Sequence, residues 1–208
     1  MTSVVDIHQP RIIDWRQTDL YRFFAFAFGP PSEERHCWLA QKGVPEAIAE
    51  LWRQLDCEGD FPGFDWFPDF EKYEATHIAV FDVGVPEPPV PLFESAHDKS
   101  RAAQELVLEN TYFYGVLGLR VDPVHSVPDH LLTQLEFLSA VAYAREQAGP
   151  ESSSDDLARL EREFLERHLL TWTSVAREKM KGCPISAFPV LFSLMCCLLR
   201  ERHEGLSS

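Results

Sequence analysis

Pro128-Asp129-His130-Leu131, running into Leu135-Glu136-Phe137-Leu138, sets the reading of the fold. Leu131, Leu135, Leu138 and Ala142 recur at three- and four-residue intervals, the period of an α-helix that buries one stripe. Proline suits the first helical position, because the N–H it lacks would be unpaired there. A carboxylate in the first turn meets the positive end of the helix dipole, which suits Asp129. The spacing predicts a helix over 128–147, closed by Gly149-Pro150 and a polar loop with Ser152-Ser153-Ser154.

The same period extends in both directions. Upstream, it predicts a helix over 13–28 with Trp15, Leu20, Phe23, Phe24, Ala27 and Phe28 inward, stopped by Gly29-Pro30-Pro31. Ser32 caps a second helix to about 42, and Pro45 opens a third carrying Ile48, Leu51, Trp52 and Leu55. Aromatics at Phe61, Phe64, Phe67, Phe70 and Tyr73 are broken by Pro62, Gly63 and Pro68. They read as a loop and then a helix over 69–81, with the rings mostly in the core. A helix over 98–117 ends at Gly118. Downstream, Ser153 and Asp156 form a capping box for a helix over 155–172, and a last helix covers 185–202.

No period-2 run is long enough to seed a sheet, so the fold class is all-α: a single-domain helical bundle over 1–208. Its two halves are separated by a long Pro-rich loop over about 82–97. Gly84-Val85-Pro86-Glu87-Pro88-Pro89-Val90-Pro91-Leu92-Phe93-Glu94-Ser95 carries four of the prolines, whose fixed φ keeps the chain extended. A loop of that length is functional or disordered, and Leu92 with Phe93 argues for docking on the bundle.

A chain of 208 residues, 45% hydrophobic, can bury a substantial core. With 19 Lys+Arg against 33 Asp+Glu its net charge is −14, which disfavours nucleic acid and anionic lipid and favours cationic partners. Five cysteines without CxxC spacing or a secretory leader fit a reduced, cytoplasmic protein. No apolar run approaches the roughly 20 residues of a membrane span, so no stable membrane insertion is expected.

Asp129 and His130 invite an acid–base reading, since an imidazole beside a carboxylate can move protons near neutrality. Adjacent helical residues face about 100° apart, so a relay would need further partners. Capping or recognition of a partner's arginine explains the pair equally well. His77, His97, His125, His130, His168 and Cys196-Cys197 lack zinc-ligand spacing, and the two thiols read as small buried hydrophobes. No nucleophile elbow or phosphate loop is present, so neither a catalytic residue, a metal nor a cofactor is assigned.

In order, these pieces resemble the TorD/DmsD/NarJ family of cytoplasmic chaperones dedicated to molybdenum-containing oxidoreductases. The resemblance rests on Leu20-Tyr21 and Phe28 before Pro30-Pro31, Tyr73-Glu74 leading to Gly84, and Pro91-Leu92-Phe93-Glu94-Ser95. It continues through Pro128-Asp129-His130-Leu131 with Leu135-Glu136-Phe137-Leu138, and Phe164-Leu165-x-x-His168-Leu169-x-x-Trp172. One departure is Ser126-Val127, where many members carry an acidic residue. The Glu87-Pro88-Pro89 loop is similar to chaperones of dimethylsulfide or ethylbenzene dehydrogenase.

The resemblance implies a protein without enzymatic turnover that binds the catalytic subunit of a molybdenum oxidoreductase, often by its twin-arginine leader, and delays export until the cofactor is inserted. It implies Asp129 and His130 as polar contacts to the client, with Pro128 and Leu131 setting their geometry. Glu136 and Phe137 stand second, and Leu92 and Glu94 pin the proline loop. Replacing Asp129 and His130 with alanine should then impair binding and leave the fold intact. The chain would act as monomer or homodimer. The alternatives are an accessory subunit or adaptor kept in the mature complex, and a small metal-dependent or acid–base enzyme.

Overall fold

The computed structural model of the chain describes residues 17–55, 57–122, 126–148, 153–183 and 187–206. Regular structure among them is helical throughout, as expected, with one isolated antiparallel bridge, Phe93 to His130. Helix α1 (Gln17–Ala27) is apolar on nearly every side, and Leu20, Tyr21 and Phe23 to Phe28 are all buried. Trp15, expected to face inward before it, lies outside the described residues.

Ser32 begins α2 (Glu33–Leu39) as expected: its extended backbone lets Oγ accept the Arg35 amide at 3.2 Å. Helix α3 (Gly43–Gln54) buries Val44, Ile48, Leu51 and Trp52. Asp69 caps α4 (Phe70–His77), accepting the Lys72 amide at 2.7 Å, and a π-helical turn over Ile78–Asp82 continues it. The aromatic run before α4 is core where expected: Phe67 and Tyr73 are buried against Phe188, with Trp66 partly covered beside them.

The proline segment is less uniform than expected. Glu94–His97 form a short helix, α5, within the stretch expected to lack helix. Helix α6 (Ala103–Val116) starts later than 98, because Asp98 and Ala102 take extended backbone to let Arg101 turn inward. Gly118 ends it at φ +70°, with the Leu119 amide on the Tyr114 carbonyl at 3.0 Å and the Gly118 amide on that of Gly115 at 2.9 Å.

Helix α7 (Leu131–Gln147) starts three residues later than the pattern suggested. A turn over 127–130, closed by the His130 amide on the Val127 carbonyl at 3.1 Å, and the extended backbone of His130 precede the first helical residue. Helix α8 (Ser153–Phe164) passes through a π-helical turn, Leu165–Leu169, into α9 (Leu170–Met180). The helical path thus runs beyond 172, because Trp172, Ala176 and Met180 continue the buried stripe at four-residue intervals. The Ser153 side chain, and with it the expected capping box, lies outside the described residues.

Helix α10 (Ala187–Gly205) is enclosed on most faces from Ala187 to Leu199 by α1, α9 and the π-helical turn before α9. Pro189 is tolerated in its first turn, where amides have no intrahelical acceptor. Helix α1 packs most extensively on α7, and α7 in turn on α8. One continuous cluster of buried side chains runs from α1 to α10.

Candidate functional site

The Asp-His motif and the end of the proline segment are joined through their backbones. The Leu131 amide donates to the Leu92 carbonyl at 2.8 Å, and the Glu94 amide to the Asp129 carbonyl at 2.9 Å, flanking the bridge between Phe93 and His130. His130 is the N-cap of α7: its backbone is extended (φ −79°, ψ 139°), and Nδ1 accepts the Leu132 amide at 3.2 Å. The ring meets Phe93 edge-on at 4.7 Å between centroids. Burial holds its pKa below 6.5, against the opposing pull of Asp129.

Asp129 does not occupy the first turn of its own helix. It is 2% exposed, and Oδ2 accepts the Ser95 amide at 3.2 Å, so the carboxylate caps α5. This corrects the expected placement. The turn over 127–130, closed by the His130 amide on the Val127 carbonyl at 3.1 Å, places Asp129 beside the neighbouring segment. Pro128 likewise precedes the helix, and its carbonyl accepts the Tyr114 hydroxyl at 2.5 Å.

Behind this seam lies a buried polar cluster centred on Glu94, which is fully shielded from solvent. Its Oε1 accepts Arg101 Nη2 at 2.9 Å, while Oε2 accepts Gln134 Nε2 at 2.7 Å and Asn110 Nδ2 at 3.0 Å. His168 Nδ1 stands 2.9 Å from Oε2, which makes it the protonated ring nitrogen. Trp172 Nε1 donates to Gln134 Oε1 at 3.2 Å. Arg101 also bonds Asp98 at 2.8 Å and Glu109 at 2.9 Å. One carboxylate therefore ties α5 to α6, α7 and the π-helical turn, with α9 joined through Gln134. Its acceptor sites are already occupied by protein donors.

The expected site residues divide by accessibility. His130 and Pro128 are partly exposed and Glu136 is exposed, whereas Leu131 and Leu92 are in the core. Phe137 offers no surface to a partner: it is 2% exposed and wedged between Tyr114, at 5.0 Å, and Phe164, at 4.5 Å. Its place on the inner side of α7 follows from the adjoining buried Leu135 and Leu138.

Among the described residues, no three His, Cys, Asp or Glu side chains are grouped to hold a metal ion. Cys196 and Cys197 are both buried, and they diverge. Cys196 Sγ lies 3.7 Å from the Thr173 carbonyl, and Cys197 Sγ 3.7 Å from Arg200 Nη2.

Sequence reasoning passed over Arg101, Asn110 and Gln134 as members of this cluster. The signal was there: Asn110 and Gln134 interrupt otherwise apolar stripes of α6 and α7, where a polar residue requires buried partners.

A family model described as the nitrate reductase delta subunit matches residues 40–176. The chain belongs to this family. A relative within reach of sequence comparison is the perchlorate reductase assembly chaperone protein of Dechloromonas aromatica (strain RCB), 34% identical over 78% of this chain and 77% of its own length. The selenate reductase assembly chaperone protein of Thauera selenatis is 27% identical over 54% of this chain and 59% of its own. The chlorate reductase assembly chaperone protein of Ideonella dechloratans is 26% identical over 64% and 69%. A crystal structure provisionally described as a redox enzyme maturation protein, from Archaeoglobus fulgidus, overlays with TM-score 0.48 at 16% identity, over 94% of this chain and 96% of that one. The nitrate reductase delta subunit family and its chaperone-named relatives agree with the family resemblance that the motifs carry. All three curated relatives are named as chaperones, not as catalysts.

Proposed function

We propose that the chain is a maturation chaperone for the catalytic subunit of a molybdenum-containing reductase. It binds the client in the cytoplasm through a twin-arginine leader and delays export until the cofactor is inserted. The observation that carries this reading is the match to a perchlorate reductase assembly chaperone over most of both chains. The net charge of −14 supports it, since a leader brings arginines next to an apolar stretch. Among the described residues no helix is long and apolar enough to cross a membrane.

In this reading His130 and Glu136 make the polar contacts near the start of α7, Pro128 sets their geometry, and Asp129 acts from behind them by fixing the seam. Leu92 and Glu94 pin the proline segment. Calorimetry of the purified chain with the client's leader peptide, and separately with the full precursor, tests it. Saturable binding that weakens as added salt screens the charges is expected. Absence of binding by both at tens of micromolar protein, roughly the range where weak recognition is still measurable, overturns it. Finding this chain as a stoichiometric component of the purified mature reductase would instead identify it as a retained subunit.

A further inference from the structure

Three of the five cysteines are buried, and two of these, Cys57 and Cys197, meet although about 140 positions separate them in the chain. Cys57 follows α3 in a segment folded back on that helix: its amide donates to the Trp52 carbonyl at 3.3 Å, and Trp52 Nε1 donates to the Gly59 carbonyl at 3.2 Å. The Cys57 thiol donates to the Cys197 sulfur on α10. The next residue, Glu58, pairs with Arg200 at 3.7 Å, and Arg200, one turn beyond Cys197, places Nη2 3.7 Å from that same sulfur. Two separate contacts thus set the 57–58 segment against the 197–200 turn of α10.

Burial by itself makes a thiol inert, as at Cys196, where it pushes the pKa up to about 12. Cys197, its neighbour in the chain, behaves differently. The hydrogen bond from Cys57 lowers its pKa, burial opposes this, and the guanidiniums of Arg200 and of Arg177 on α9 add to the lowering, which leaves the thiol at about 7. A cationic setting for one sulfur stands out in a chain of net charge −14. The pair also lies directly beneath the surface. The side chains of Arg200 and Glu58 are 45% and 75% exposed, so a small oxidant reaches the sulfurs past a solvated ion pair.

We infer that Cys197 and Cys57 are a peroxide-responsive pair, in which Cys197 is the attacking thiolate and Cys57 the resolving thiol. The Cys197 thiolate attacks one oxygen of hydrogen peroxide, the O–O bond breaks, and the sulfur is oxidised to a sulfenic acid while the departing hydroxide takes a proton from solvent. The Cys57 sulfur then displaces the sulfenic hydroxyl, which leaves as water with the Cys57 proton, and the S–S bond forms. Two thiols have together given two electrons to one peroxide. In a reducing compartment such a bond is transient and is returned to thiols by dithiol exchange. While it lasts, it fastens the segment after α3 to α10 and closes a covalent ring over about 140 residues. The inference concerns the thiols alone and stands apart from the chaperone reading.

The test treats the full, reduced wild-type chain with hydrogen peroxide, caps the remaining thiols under denaturing acid, and maps the peptides by mass spectrometry. One intramolecular disulfide should join the peptides of Cys57 and Cys197, with Cys196 still a thiol. The oxidised chain should migrate faster on a non-reducing gel, and dithiothreitol should reverse both changes. Cys57→Ser should stop Cys197 at its sulfenic or sulfinic acid. Arg200→Gln should slow oxidation of Cys197 at pH 7 at least about threefold, because the thiolate is the reacting species. Circular dichroism checks that the variants are folded, and the wild-type mapping needs no variant. A free thiol at Cys197 under excess peroxide, or a disulfide from Cys197 to any cysteine other than Cys57, overturns the inference. So does a folded Arg200→Gln chain that oxidises at the wild-type rate.

Discussion

Replacing Asp129 with alanine removes the acceptor from the Ser95 amide in a site that water does not reach. The expected loss is about 1–3 kcal/mol of stability, read from urea unfolding, with asparagine recovering part of it. The double alanine replacement at Asp129 and His130 therefore tests binding cleanly only alongside a stability measurement. Glu94→Ala is the more severe change. It leaves Arg101, Gln134, Asn110 and His168 facing a void, and breaking a buried ion pair of this kind costs about 3–5 kcal/mol. Unfolding at the wild-type urea midpoint would show that the cluster contributes little. The seam residues Leu92, Phe93, Asp129 and His130 could be singled out in the sequence, but their pairing could not. Hydrogen bonds between segments this far apart leave no periodic trace, so Asp129 looked like a cap for the helix that follows it.

At the scale of elements, α6 is the helix whose stability and exposure conflict most. Gly115→Ala should raise stability by up to about 1 kcal/mol, because the added methyl restricts the unfolded chain and meets no obstacle. Gly118→Ala should do the opposite, costing roughly 1–2 kcal/mol, because φ of +70° brings a side chain against its own carbonyl. Thermal melts of the two variants should therefore move in opposite directions. Helical periodicity made most elements legible, including the Ser32 cap. Boundaries failed where tertiary contacts override local preference: at 128–130, where a turn and the pairing of His130 with Phe93 delay the helix, and at 98–102, where Arg101 turns toward Glu94. The outer face of α6, where Leu108, Tyr112 and Val116 are exposed, was missed for another reason. Apolar residues on both sides of a helix erase the contrast that periodicity detects.

For the molecule as a whole, acid should weaken the fold through its buried imidazoles. Burial lowers the pKa of His77, His97 and His130 below the 6.5 of a free side chain. The unfolded chain therefore takes up protons first. The stability these groups contribute is complete above about pH 6.5 and declines as pH falls toward their lower native values. Protonation of carboxylates relieves repulsion in a chain of net charge −14, so the comparison should be differential. His97 stacks on Trp172 at 5.3 Å and donates to the Pro91 carbonyl at 2.7 Å. A His97→Phe variant should lose stability at neutral pH yet show a smaller further drop near pH 5 than wild type. Equal drops in the two proteins would show that His97 does not contribute.

The enclosure of α10 affects how the protein is made. Phe28, directly after α1, packs on Phe192 at 5.5 Å, and α1 borders α10 directly. During synthesis the aromatic surface around α1 emerges before the helix that covers it, which begins about 160 residues later. Until then that surface is exposed to the crowded surroundings of the ribosome, where exposed apolar helices aggregate. A protein of a family that includes named assembly chaperones thus has a vulnerable period in its own biogenesis, set by the chain order of two helices.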